Sequence, residues 1–200
     1  MALHADVRKS LLIKLEEYEG RIPHLYVDSV GRITVGVGHM IANRNDMASL
    51  TFMVGGSAGV PMRAATLKEK QDEFDAMAKQ PKGRRAGWYE QHATLTMRGP
   101  DIDALTFAHI DSFHAKLVKA YGTAQGYPKE FDSLPHTVQL ALFDLIFNVG
   151  PTGLTKFTQF NKSIKAGDWK KAAEQCERSQ VNGARNEYVK KLLLTTAVEA

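Results

Sequence analysis

Apolar residues recur at helical spacing near the start of the chain, at Val7, Leu11, Leu15 and Tyr18. The run meets Gly20, a residue suited to the left-handed position that ends a helix. The predicted helix therefore carries Glu19 on its last turn. The helix dipole is negative there, so an acid stands against local preference, and such conflicts tend to mark functional positions. After Pro23 the period changes. Leu25-Tyr26-Val27 reads as a short strand, Asp28-Ser29-Val30-Gly31 as a turn and Arg32 to Val37 as the returning strand. Ile33, Val35 and Val37 point one way. Thr34, Gly36 and Gly38 point the other, which predicts a face with one hydroxyl and two bare backbone positions open to a ligand.

Further along, Gly55 to Gly59 has flexible-loop chemistry. Thr66-Leu67-Lys68-Glu69 is a capping box that opens a helix running to about Gln80, with Leu67, Phe74 and Met77 as its apolar positions. Lys82, Arg84 and Arg85 stand beside Trp88 and Tyr89. That grouping fits either a sugar-stacking or polyanion patch or a solvated turn beside two core aromatics. Gly99-Pro100-Asp101 starts a long helix with Ile102, Leu105, His109, Phe113, Leu117 and Tyr121 at helical spacing, ended by Gly122. A second strong helix opens at Ser133 to Pro135 and closes at Phe147-Asn148-Val149-Gly150. It has almost no polar face, so it is expected at the centre of a bundle. Shorter helices follow over 155–166, over 168–178 with Asp168 as cap, and over 184–197.

Composition narrows the class. The 200 residues, 44% hydrophobic and 24% charged, suit one good core or two small lobes. The single Cys176 excludes an intramolecular disulfide and reads as a small buried residue on a helix. Leu11 to Ile13 is too short an apolar run for a signal peptide or a membrane span. A formal charge of +4 suits an anionic polymer, and nucleic acid and cell envelope both qualify, as does plain solubility. His109 and His114 are five apart and do not share a helix face as a metal pair would, so neither a metal nor another cofactor is expected.

Glu19, Asp28 and Thr34 place two carboxylates and a hydroxyl on three adjoining elements. That combination suits glycoside hydrolysis, in which one carboxylic acid protonates the leaving oxygen and a second carboxylate serves water or the sugar. The ordered series Glu19-Gly20, Tyr26 and Asp28, Gly31, Thr34 and Gly36-Val37-Gly38-His39 resembles the catalytic segment of the phage-type lysozymes. The Phe147 to Gly150 segment resembles the same family's FNxG pattern, more than a hundred residues away. At the start of the last helix, Gly183-Ala184-Arg185-Asn186-Glu187 keeps only part of the family's Gly-Leu, paired-Arg and Glu pattern.

The resemblance implies an α+β, lysozyme-like fold of two lobes: a small β-hairpin lobe and a mainly helical C-terminal lobe, joined by a long helix. The resemblance covers about Val7 to Ile41 and Arg98 to Leu194, and the expected organisation is one catalytic domain over 1–200, divided into a catalytic helix and hairpin at 1–41, an insertion at 42–97 and a helical lobe at 98–200. The implied activity is cleavage of peptidoglycan between N-acetylmuramic acid and N-acetylglucosamine, with Glu19 as general acid and with Asp28 and Thr34 holding the attacking water. His39, Asn148 and Arg185 are the implied substrate-binding residues. Arg185 is also expected to approach Glu19, orient it and favour its ionised form. Asn148 equally fits a helix-end role and Arg185 a surface charge. The expected partner is the glycan strand, with an inhibitor or immunity protein as a further one. Acidic residues in the proposed cleft argue against nucleic acid, and a monomer without membrane insertion is expected. The expected route is synthesis in the cytoplasm, then action on the wall in the periplasm after holin-dependent release or delivery by a secretion system, as a phage endolysin or an antibacterial effector. The alternative is a non-catalytic wall-binding module of the same fold.

Overall fold

The structure, a computed structural model, describes residues 3–55, 61–179 and 181–199. Positions 56–59 of the glycine-rich stretch lie outside the described residues. The architecture is α+β, with two small sheets in the N-terminal half and a mainly helical C-terminal half. The chain divides into two compact units, 15–108 and a second made of 1–14 and 109–200. Among the described residues no helix is long and apolar enough to cross a membrane.

The first element, α1 (Ala5–Glu19), buries Val7, Leu11 and Leu15 and ends at Gly20, which has φ +77°. In the 15–108 unit it leads into β1 (Ile22–Val27), β2 (Ile33–Gly36) and β3 (His39–Ile41), an antiparallel sheet in that order. The third strand is absent from the sequence reading, which ran β2 on to Val37. Gly36 and Gly38 both take positive φ, +67° and +69°, so Gly36 to Gly38 reverses the chain and His39 pairs back with Val35. The open face expected for Thr34, Gly36 and Gly38 also needs correction, because every residue of β2 is buried. A Cβ on Gly36 would lie 3.5 Å from Ile102 and 3.8 Å from Leu105, so this bare position serves packing against the helix that begins at Gly99.

Residues 42–97 fold onto the same sheet. A 3-10 helix (Arg44–Ser49) precedes β4 (Met53–Val54), β5 (Arg63–Ala64), α2 (Leu67–Met77), a second 3-10 helix (Ala86–His92) and β6 (Leu95–Thr96). The strands form a second sheet in the order β5-β4-β6. The segment is tied to β1 at both ends of a short span: Met97 N donates to Pro23 O at 2.7 Å, and the His24 ring nitrogen lies 3.1 Å from Ala86 O. The Thr66–Glu69 capping box forms as expected.

The buried face of α2 differs from the expected Leu67, Phe74 and Met77. It is Lys70, Glu73 and Met77, whereas Leu67 is exposed and Phe74 half-buried. The polar pair is buried because it holds loops. Lys70 Nζ donates to the carbonyls of Leu50 and Ala48 at 2.8 and 3.2 Å. Glu73 Oε2 accepts from Thr94 N, Thr94 Oγ1 and Leu95 N at 2.7, 2.6 and 2.9 Å. Burial nonetheless raises the Glu73 pKa above the usual carboxyl value, outweighing these hydrogen bonds and the charge of His24.

A raised pKa means that the folded chain binds the extra proton in the window between the ordinary carboxyl value and the raised one. Stability contributed by Glu73 is therefore present below that window and declines as pH rises through it. Glu73→Gln is expected to flatten this decline, read as melting temperature against pH from about 4 to about 8. An unchanged slope would count against Glu73 as its source.

The second unit holds most of α3 (Gly99–Ala120), together with α4 (His136–Thr155), α5 (Thr158–Ala166), α6 (Trp169–Glu174) and α7 (Gly183–Glu199). Within α4, Gly150 has φ +70° and ψ 170°, so the long apolar helix does stop at the predicted glycine before a further turn from Pro151. Gly167 in the left-handed region ends α5, and the Asp168 side chain accepts from Lys171 N to cap α6.

Two expectations fail here for one reason. The helix predicted over 168–178 ends at Glu174, which leaves Cys176 buried just beyond it, and α4 is not without polar content in the core. Asp144 is 4% exposed and binds Arg178 Nη1 at 2.7 Å and Arg185 Nε at 3.0 Å. Arg178 leaves the helical path to reach that carboxylate. Asn186 secures it there, accepting from Arg178 Nε at 3.1 Å and donating to its carbonyl at 2.9 Å.

Candidate active site

Glu19 ends α1, and its carboxylate lies over the Gly36–Gly38 turn. A Cβ built on Gly38 would sit 3.5 Å from Glu19 Oε2 and 3.6 Å from its Cβ and Cγ. Gly38 thus provides both the positive φ of the turn and the surface on which the acid rests.

Asp28 is fixed by the turn that it opens. Its Oδ1 accepts from Val30 N at 2.9 Å and Arg32 N at 2.8 Å, while its own N–H donates to Arg32 O at 2.9 Å. This is an Asx-type arrangement that leaves the second carboxylate oxygen for another role. Thr34 is 4% exposed, and its hydroxyl donates weakly to Arg32 O at 3.3 Å.

Tyr26 links these residues. It pairs with Thr34 across the sheet, and strand alternation puts it on the same face as Asp28, two residues later. Its phenol pKa is pushed up to about 12, first by burial and then by the charges of Glu19 and Asp28. A neutral phenol thus lies within electrostatic reach of both carboxylates, and it stays protonated at any physiological pH.

His39 opens β3, half-buried, opposite Val35. Unit 15–108 therefore holds Glu19, Asp28, Thr34 and His39. The other two candidates belong to the helical unit. Asn148 is exposed near the end of the first part of α4 and lines a cavity of about 500 Å³ with Val149, Phe157, Glu177, Arg178 and Ser179. The surface-charge expectation for Arg185 is corrected, because Arg185 is buried, 6% exposed, with its Nε on Asp144. Among the described residues no group of three or more histidine, cysteine or carboxylate side chains is placed to hold a metal ion.

No family model matches the chain. A curated protein from Dictyostelium discoideum named probable T4-type lysozyme 2 is 21% identical over 176 residues, covering 86% of this chain and 85% of that protein. This likeness runs over nearly the whole length of both chains, and the motifs quoted above lie in the order expected of the family. The chain is thus distantly similar, over most of its length, to a protein named as a T4-type lysozyme.

Two features were given no role by the sequence pattern, although Tyr26 stands in the motif series. Tyr26 was legible in principle, since Tyr-x-Asp on a strand puts both side chains on one face. Asp144 was not, because its partners lie 34 and 41 residues away. The role of Gly38 is directly testable. Gly38→Ala places a side chain in the left-handed region, at a cost of about 1–2 kcal/mol, and sets a methyl group against the Glu19 carboxylate. The variant is expected to unfold at lower denaturant and to lose activity beyond what its folded fraction explains. Full activity would count against Glu19 working from this position.

Proposed function

We propose that the chain is a peptidoglycan hydrolase that cleaves the β-1,4 bond between N-acetylmuramic acid and N-acetylglucosamine. The observation that supports it most is the Glu19 carboxylate resting on Gly38 with its charge, like that of the turn-fixed Asp28, acting on the same Tyr26 phenol. Glu19 in its acid form gives its proton to the glycosidic oxygen as the bond to the anomeric carbon breaks. Asp28 and Thr34 hold the water that attacks that carbon, and Asp28 takes the proton that the water loses. In this reading the reaction inverts the anomeric centre, which calls for carboxyls about 6.5–9.5 Å apart. His39 and Asn148 bind substrate, whereas Arg185, 6% exposed and paired with Asp144, is too buried for that role. Synthesis in the cytoplasm and action on the wall, as an endolysin or a delivered antibacterial effector, complete the proposal.

The test is mass spectrometry of soluble fragments released from purified peptidoglycan. Fragments ending in reducing N-acetylmuramic acid are expected. Anhydro-muramic ends would replace hydrolysis by transglycosylation and remove the need for Asp28 to direct water. No fragments from well-folded protein would favour the non-catalytic wall-binding module.

A further inference from the structure

Seven of the ten arginines sit against a carboxylate, from Arg8 on Asp111 to Arg185 on Asp144. The other three, Arg32, Arg84 and Arg85, have no acidic partner among the described residues, and neither has Lys82. All four are exposed. They also belong together. Arg32 follows the Asp28–Gly31 turn, and a Cβ on Gly31 would lie 3.6 Å from Lys82 Cδ, so the loop carrying Lys82, Arg84 and Arg85 leans on that turn.

The loop is held at both ends. The fully buried Tyr89 donates its hydroxyl to Pro81 O at 2.7 Å, and Trp88 N donates to Arg85 O at 2.9 Å. The Arg84 guanidinium lies 5.7 Å from the centre of the Trp88 ring, which restricts its rotamers. Between Gln80 and Thr94 the one acidic residue is Glu90. Elsewhere the surface neutralises its arginines, whereas here it gathers uncompensated cations at the cost of mutual repulsion, beside the turn that fixes Asp28.

We propose that Arg32, Lys82, Arg84 and Arg85 form a subsite for the carboxylates of the short stem peptides carried by muramic acid. The inference rests on the peptidoglycan reading above. The sugar rings of that polymer carry no charge to match such a cluster, whereas the free carboxylates of its stem peptides do. Those peptides hang from the very sugar whose bond is cut, and the cluster stands beside the turn that fixes Asp28. Guanidinium groups suit carboxylates because the planar fork donates two parallel hydrogen bonds.

The test measures retention on insoluble peptidoglycan freed of teichoic acid, using full-length Glu19→Gln protein so that binding is read without cleavage. Retention on intact material is compared with retention on the same material after an amidase has removed the stem peptides. Adding Lys82→Ser, Arg84→Ser and Arg85→Ser is expected to weaken retention on the intact polymer about tenfold and to leave retention on the stripped glycan unchanged. Arg84→Ser with Arg85→Ser alone, which keeps the Lys82 stem on Gly31, is expected to give a large part of the loss. Equal loss on both polymers, or no loss, overturns the proposal. A loss confined to walls that still carry teichoic acid would assign the cluster to a phosphate polymer and overturn it as well. Because retention is read without turnover, a wild-type chain that cuts nothing would defeat the hydrolase reading and leave this result to stand or fall separately.

Discussion

Replacing Glu19 with Gln is expected to slow glycan cleavage by about 10²–10⁴-fold, the usual contribution of a positioned general acid, with the folded state intact. The substitution keeps size and shape, so the contact with Gly38 survives while the transferable proton is lost. It also removes a negative charge from the negative end of α1, which favours the helix by about 0.3–1 kcal/mol. Activity and stability should therefore move in opposite directions, a pattern that a purely structural role for Glu19 would not produce. The measurement is release of reducing ends from peptidoglycan beside chemical unfolding of both proteins. Unchanged release by the Glu19→Gln protein would show that the acid has been assigned to the wrong residue.

The largest effect on stability is expected at Asp144. Asp144→Ala leaves the Arg178 and Arg185 guanidinium groups in the helical core without their counter-ion, and breaking a buried pair from one side costs about 3–5 kcal/mol. Most of that loss reflects the stranded cations and not the removed carboxylate. The comparison is Asp111→Ala, which breaks the exposed pair with Arg8 and should cost under about 1 kcal/mol. Denaturant midpoints with unchanged slopes would measure both. A similar small cost at the two sites would mean that the core tolerates Arg178 and Arg185 alone, contrary to their burial.

The sequence alone determined what short-range chemistry controls. Gly20, Gly150 and Gly167 end their helices with positive φ, the Thr66–Glu69 box and Asp168 cap theirs, and Asp28 organises the turn that its position announced. Each depends on a few neighbouring residues whose backbone preferences or side-chain reach are already fixed in the unfolded chain. The candidate acid, the second carboxylate and the hydroxyl were legible on the same grounds, since all three lie within sixteen consecutive residues.

Tertiary structure decided the rest. Periodicity made Leu67 and Phe74 the inner face of α2, but the helix turned Lys70 and Glu73 inward, because the carbonyls at 48 and 50 and the N–H groups at 94 and 95 needed partners. Arg178 reads as part of a helix until Asp144 draws it away, and Lys82 to Arg85 fit either a binding patch or a solvated turn until the loop is found against Gly31. In each case a polar or charged group is assigned by a partner 20 or more residues away. A local pattern carries no record of which distant groups burial will leave in want of a hydrogen bond or a counter-charge.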